Sequence, residues 1–355
     1  MFTRRNLKYL IVTLLTAIVA CATVSERKSA DNYVRNEKLP VVLEGYPGNI
    51  LEGKVFRDPD HEMDLSFTRI IKWKLFSSNP QSKEKKNDPY RLGVIRSPQI
   101  FEMKEDMVVW LGQASFLIRI DGKTLLLDPV IGNTPFSKRL CDRSVETADI
   151  KGIDYLLVSH THFDHLDAYT IRNSNLSGTK ALLPLRMGKI VSGFNPSVTV
   201  EEAGWFQKYD TDGPEVYFLP ARHWSRRSLS DTNKVLWGSY IIKGKNSTIY
   251  FAGDTAYGKH FAQIAKLFPK IDIALVPIGA YKPDYIMKQN HLSPDDAARA
   301  SNDLKAKVFV PMHYGTFDLS DEPLGEPLRR IKEISAAKGL DAQLKIIQPG
   351  EILFL

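Results

Sequence analysis

The stretch Ile153-Asp154-Tyr155-Leu156-Leu157-Val158-Ser159-His160-Thr161-His162-Phe163-Asp164-His165 decides how the chain reads. Its first half is an apolar run of strand length. Its second half packs three imidazoles and a carboxylate into six residues. A buried strand that ends in such a loop is where open α/β folds place their sites. An HxHxDH run brings lone pairs to close range, and lone pairs that converge on one point hold a cation. The bland alternative is a histidine-rich surface loop.

Working outward, three more donors repeat the pattern of an apolar run followed by a ligand-type residue. His223 closes VYFLPARH, Asp254 closes IYFAGD and His313 closes VFVPMH. Four such strand ends predict donors meeting at one edge of a sandwich. His61 and His260 lack this context and are expected to be ordinary surface or loop histidines. Around the donors, MVVWLGQASFLIRI and KTLLLDPV flank Asp121-Gly122, a hairpin signal. Further β-rich runs cover 153–159, 215–220, 235–243, 247–252, 271–279, 307–313 and 344–355. A helix is expected from Ser293-Pro294, with an N-cap and acids in its first turn, and another from Pro327 to Lys338, stopped by Gly339. Leu65, Ile70, Ile71, Trp73 and Leu75 mark an amphipathic helix, before a Lys/Asn/Pro-rich loop that includes 82–89. Strands in groups with helices between them predict an α/β fold of two stacked sheets with helices outside.

The chain has 355 residues, 43 % hydrophobic and 25 % charged, which excludes a disordered chain, a collagen-like fibre and a multi-span membrane protein. Arg4, Arg5 and Lys8 precede a twelve-residue apolar run, Tyr9 to Ala20, of signal-peptide length. The run ends Ile18-Val19-Ala20-Cys21, which resembles the bacterial lipobox. Residues 1–20 are thus expected to be a lipoprotein-type leader and 21–56 a lipidated Cys21 and flexible tether, ahead of a hydrolase domain at 57–355. A plain signal peptide or an uncleaved anchor is the alternative. This predicts a bacterial envelope protein, held on a membrane and facing the periplasm or exterior. The chain carries 48 basic and 41 acidic residues, +7 in all, and removing the three leader cations leaves 45 against 41, or +4. That is too mild to predict a nucleic-acid partner. If Cys21 is acylated, Cys141 has no partner for an intrachain disulfide, and it is read as a passive residue.

Taken together, HxHxDH, then His, then Gly-Asp, then His resembles the metallo-β-lactamase fold superfamily. Within it the chain is most similar to N-acyl-phosphatidylethanolamine-hydrolysing phospholipase D and its bacterial relatives. That closer likeness rests on Trp110-Leu111-Gly112, Leu127-Asp128-Pro129, SHTHFDHLD (159–167), HWSRRSLSDTNKVLWGSY (223–240), FAGDTAYG (251–258), PIGAYKPDYIMKQNHLSPDDAAR (277–299) and HYGTF (313–317). It covers roughly residues 57 to 350. The resemblance implies a four-layer αββα sandwich and two Zn²⁺ per chain. His160, His162 and His223 would hold the first ion, Asp164, His165 and His313 the second, and Asp254 would bridge both. A shared hydroxide would be the nucleophile, with Asp164, Asp254 and His291 as catalytic residues. His291 would bind phosphate or steady the leaving group; its plain reading is a helix-entry histidine. Asp128 is either a support behind a ligand histidine or a turn residue before Pro129. The implied activity is a phosphodiesterase of phospholipase D type on N-acyl-phosphatidylethanolamine-like lipids. A zinc-dependent lactonase, esterase or amidase and a non-enzymatic envelope scaffold are the alternatives. One departure stands out: many relatives carry His after Trp-x-Gly, where this chain has Gln113, which hydrogen-bonds but does not change charge near pH 7.

Overall fold

Runs of Val, Ile, Leu and aromatic residues give this chain its strands, and the strands assemble into two seven-stranded mixed sheets. The computed structural model describes residues 32–61, 73 and 78–355. Three short strands come first: β1 (Asn32–Val34), β2 (Asn49–Glu52) and β3 (Val55–Arg57). The first large sheet uses β4 (Met107–Gly112), β5 (Ser115–Ile120), β6 (Lys123–Leu127), β7 (Tyr155–Leu157), β8 (Lys180–Pro184) and β9 (Thr199–Ala203). The second uses β10 (Gln207–Lys208), β11 (Glu215–Leu219), β12 (Ser239–Lys243), β13 (Thr248–Phe251), β14 (Ile273–Pro277), β15 (Val308–Met312) and β16 (Gln343–Leu344). The last strand, β17 (Ile352–Phe354), returns to the first sheet beside β4.

Alternation along the first sheet separates its two faces. Val108, Trp110, Phe116, Ile118, Leu125 and Leu127 face the second sheet in the large central core. Their neighbours Val109, Leu111, Leu117 and Leu126 form a separate outer core with Ile171 and Val191, from the helices Ala168–Asn173 and Gly188–Phe194. Across the central core Phe116 meets Phe251 edge-on, ring centroids 6.2 Å apart. Truncating such a buried ring costs about 3–5 kcal/mol. Helices His260–Leu267, Pro294–Leu304 and Glu326–Ala336 bury Phe261, Leu304 and Ile331 against the second sheet. Helix, sheet, sheet and helix are the four layers expected of a metallo-β-lactamase fold.

The local signals mostly hold, with particular differences. Asp121 and Gly122 have φ of 52° and 74° and close a two-residue hairpin with Ile120 opposite Lys123. MVVWLGQASFLIRI is two strands, because the register shifts at Gly112 and the chain reverses at Gln113-Ala114. Strands β8, β9 and β10 carry no strong β-signal; β9 (TVEEA) is a half-exposed edge. The second expected helix spans Glu326–Ala336, and its left-handed end falls on Lys338 (φ 60°) instead of Gly339.

The expected tether is corrected from Asn32 onward, where β1 begins, and Tyr33–Leu355 form a single unit. Leu39, Leu51 and Phe56 are buried in the central core. Asn36 Nδ2 donates to the Glu202 carbonyl at 2.8 Å, and Gln207 Nε2 donates to the Asn36 carbonyl at 2.7 Å. Enough apolar surface and enough backbone partners exist here to offset the entropy of ordering the segment. The leader, Cys21 and most of the expected helix through Leu65, Ile70, Ile71 and Leu75 lie outside the described residues. Trp73 is buried beside Ala280, Ile286 and Met287, and its Nε1 donates to Asp321 Oδ2 at 2.9 Å. No helix among the described residues is long and apolar enough to cross a membrane. Cys141 is a half-buried free thiol packed against the central core.

Candidate metal centre

Strand direction gathers the donors. β6, β7 and β8 run parallel in one sheet, and β13, β14 and β15 in the other. Asp128 directly follows β6, the loop with His160, His162, Asp164 and His165 follows β7, Asp254 follows β13, and His313 directly follows β15. His223 lies just beyond β11, which shares the direction of β13 because both pair antiparallel with β12. His291 enters from the turn ahead of the helix that Ser293 caps, the Ser293 side chain accepting from the Asp296 N–H. Gly253 (φ 57°) lets this edge close up: a Cβ there would lie 2.7 Å from that of Ser159.

Two donor groups result. In the first, His160 Nε2 and His223 Nε2 lie 2.9 and 3.2 Å from His162 Nδ1. In the second, His313 Nε2 lies 3.3 Å from Asp164 Oδ2, and His165 Nε2 lies 3.6 Å from the same oxygen. Asp254 reaches into both. Its Oδ1 is 3.2 Å from His313 Nε2, and its Oδ2 is 3.2 Å from His165 Nε2 and 3.8 Å from His223 Nε2. All seven expected ligands are therefore brought together. His291 joins from the side, with Nδ1 3.7 Å from Asp254 Oδ2.

Outward partners fix which ring nitrogens face inward. His165 Nδ1 donates to Asp128 Oδ2 at 2.7 Å, which places Asp128 behind a donor histidine. His160 Nδ1 donates to Ser159 Oγ at 2.9 Å, and that hydroxyl donates to Asp128 Oδ2. His223 Nδ1 donates to the Asn290 carbonyl at 2.9 Å. Each of these rings then turns its Nε2 inward. His165 Nε2, His313 Nε2 and Asp254 Oδ1 are buried with no hydrogen-bond partner. Unpaired buried donors and acceptors are costly, and divalent cations satisfy this combination of imidazole and carboxylate. The residues thus fit a pair of ions. His-rich ligation of this kind suits Zn²⁺.

Charge differs between the groups. Burial, with the neighbouring imidazoles, holds His160 and His223 well below the usual histidine range, and burial lowers His162 to about 4. Burial also opposes a charge on His165 and His313, but Asp254 and Asp164 outweigh it. His165 is held well above its ordinary value and His313 is raised to about 9. Asp164 and Asp254 resist burial through the facing histidines and lie below the usual carboxylate range. Burial lowers His291 to about 4, so it meets a substrate as a neutral imidazole.

Several parts of the site carried no sequence signal. Ser159 and the Asn290 carbonyl support donors through hydroxyl and backbone groups. Trp224 packs its ring edge-on to His162 (4.5 Å), and Arg226 lies 5.0 Å over the Trp224 ring. Arg227 lies 4.4 Å over Phe163. The expectation for His61 and His260 is corrected: both are buried. His61 Nδ1 lies 3.0 Å from an Arg222 amine, and His260 opens a helix whose Phe261, Ile264 and Ala265 face inward. Burial lowers them to about 4 and about 3.

Comparison with known proteins agrees with this architecture. A family profile described as a β-lactamase superfamily domain matches residues 123–314. An uncharacterised protein of Mycobacterium tuberculosis is 33 % identical over 305 residues, covering 81 % of this chain and 78 % of its own. The N-acyl-phosphatidylethanolamine-hydrolysing phospholipase D 1 of Caenorhabditis elegans is 32 % identical over 263 residues, covering 68 % of this chain and 74 % of its own. Among solved structures, a metallo hydrolase from the archaeon Ignicoccus hospitalis shares the fold with a TM-score of 0.53 and 23 % identity, covering 70 % of this chain and 98 % of that one. On the donor-bearing strand ends, the paired sheets and these relatives, the chain belongs to the metallo-β-lactamase superfamily of metal-dependent hydrolases.

Proposed function

We propose that the chain is a binuclear zinc phosphodiesterase of phospholipase D type, cleaving N-acyl-phosphatidylethanolamine-like lipids. The observation that carries the reading is the placement of Asp254 between two donor groups: both its oxygens face the second group, Oδ1 toward His313 and Oδ2 toward His165, and Oδ2 also faces His223 of the first. Two zinc ions held there would supply Lewis-acid polarisation of a phosphoryl oxygen and a water acidic enough to react at neutral pH. Asp254 and Asp164 contribute the negative charge that keeps two dications close, and Asp128 and Ser159 hold the rings so that little reorganisation accompanies reaction. Neutral His291, with its Nδ1 buried and unpartnered beside Asp254, is placed to donate a hydrogen bond to a phosphoryl or leaving-group oxygen. Trp224, packed against His162 under Arg226, and Phe163, next to His162 in sequence and under Arg227, put aromatic surface and positive charge beside the donors, which suits a phosphate carried on apolar chains. The choice of lipid comes from the nematode relative's name and the motif blocks shared with that family.

A lipidated Cys21 would hold this mouth near such a substrate, and the support for it is the sequence of the first twenty-one residues. The test is to incubate the zinc-loaded chain with phosphodiester, lactone and amide substrates. Release of an N-acylethanolamine and phosphatidic acid in preference to the other products supports the proposal. Exclusive lactone or amide hydrolysis overturns the phosphodiesterase, and no turnover of any class favours a scaffold.

A further inference from the structure

We infer that Gln113 is a positioning residue that holds two of the three non-bridging arms of the second donor group, Asp164 and His313, and so sets the affinity of the second ion. The inference rests on the two-ion reading above. Three observations converge on this side chain. Gln113 is buried, and its Nε2 donates to Asp164 Oδ2 at 2.9 Å. That oxygen is the one facing His313 and His165, so the bond directs one of its lone pairs away from the ion and leaves another toward it. On the main chain, the Gln113 carbonyl accepts the His313 N–H at 2.9 Å. One residue therefore grips Asp164 by its amide and His313 by its backbone.

The grip is built into the fold. The same carbonyl accepts Trp110 Nε1 at 2.9 Å, and the Gln113 N–H donates to Thr316 Oγ1 at 2.7 Å. Gln113 has φ of 50°, beside Gly112 at 102°, at the register shift between β4 and β5. His313 and Asp128 also sit at positive φ, 62° and 38°. Left-handed backbone at non-glycine residues persists only where the surroundings enforce it, and three of the ten such residues among those described, Gln113, Asp128 and His313, stand at this group. The first group makes no contact of this kind with Gln113. An amide, unlike an imidazole, stays a neutral donor at every physiological pH, so the hold on Asp164 does not titrate.

The test strips the full chain of metal with a chelator and titrates it with Zn²⁺ against a chromophoric competitor, then with Co²⁺ read by its visible spectrum. In the wild type two equivalents bind. Gln113→Met keeps length and removes the donor; it is expected to leave the first equivalent unchanged and weaken the second about 10–100-fold. Gln113→His, which restores an N–H donor, is expected to recover much of that loss. Gln113→Glu keeps the shape but turns the donor into an acceptor facing Asp164, and gives the same selective loss even if the methionine unsettles the turn. Met and Glu variants that bind both equivalents as tightly as wild type, or that weaken both equally with an unchanged near-ultraviolet circular dichroism spectrum, overturn the role of Gln113. A wild type that takes fewer than two equivalents overturns instead the two-ion reading beneath it.

Discussion

The two donor groups sit at one sheet edge and share Asp254, yet they are built on opposite electrostatic principles. His160, His162 and His223 are three imidazoles held neutral by burial, with His160 Nε2 and His223 Nε2 2.9 and 3.2 Å from His162 Nδ1. A single N–H on His162 can be shared between these contacts, whereas a cation would engage all three rings. Asp164, His165 and His313 mix charges, so without metal the two histidines hold protons and pair with Asp164 and Asp254. The first group is pre-formed for metal. The second is a site in which ions and protons compete, and it carries the heavier supports, Asp128 and Gln113. In the proposed two-ion centre, one group would order the metals and the other tune them.

The largest effect expected comes from the residue that the groups share. Asp254→Asn should lower turnover about 10³-fold or more and reduce bound zinc, measured by kinetics and elemental analysis. Next, His162→Ala and His313→Ala should separate the groups, each abolishing hydrolysis while removing about one zinc equivalent. Equal losses of both ions in both variants would dissolve the distinction. His291→Ala should lower turnover about 10²-fold and leave zinc content nearly unchanged, because its nitrogen stands beside the donors without completing either group. If it strips metal, His291 is a ligand.

A smaller but more discriminating effect is in pH. In the metal-free chain His313 is raised from 6.5 to about 9, so its contribution to stability is complete below pH 6.5 and is lost as pH rises through 9. His162 and His291, lowered from 6.5 to about 4, contribute stability above pH 6.5 that is lost as pH falls through 4. The melting temperature of the chelated chain should therefore fall on both sides of a maximum near pH 6.5. Zinc should flatten the alkaline limb, since the ion replaces the protons on His165 and His313. An alkaline limb identical with and without zinc would contradict the assignment of the second group.

How much of this was legible depends on what each residue needed. All seven donors and Asp128 were visible because each closes or follows an apolar run, and sheet edges made of parallel strands collect such ends. Asp254 needed only IYFAGD before it. The role of Asp128 stayed open, because a turn before Pro129 and a support behind His165 demand the same residue type. The Asn290 carbonyl and the His313 N–H bonded to Gln113 were invisible, since backbone groups have no residue-specific signature. The ordered segment from Asn32 looked like a tether because its buried anchors, Leu39, Leu51 and Phe56, are widely spaced, and the backbone partner of Val41, Gln207, lies far along the chain. His61 was misplaced because its burial comes with Arg222, 161 positions away, and His260 because it opens a helix whose first turn, with Phe261 beside it, packs inward.

The central claim is that Asp254 joins two donor groups into one binuclear hydrolytic centre. It is tested most directly by counting zinc per chain in the wild type and in Asp254→Asn, alongside hydrolysis of the phosphodiester substrate. Two equivalents with activity in the wild type, and loss of both activity and metal in the variant, are the predicted result. A wild type that hydrolyses the substrate with one ion or none, or a variant that keeps two ions and full turnover, would contradict it.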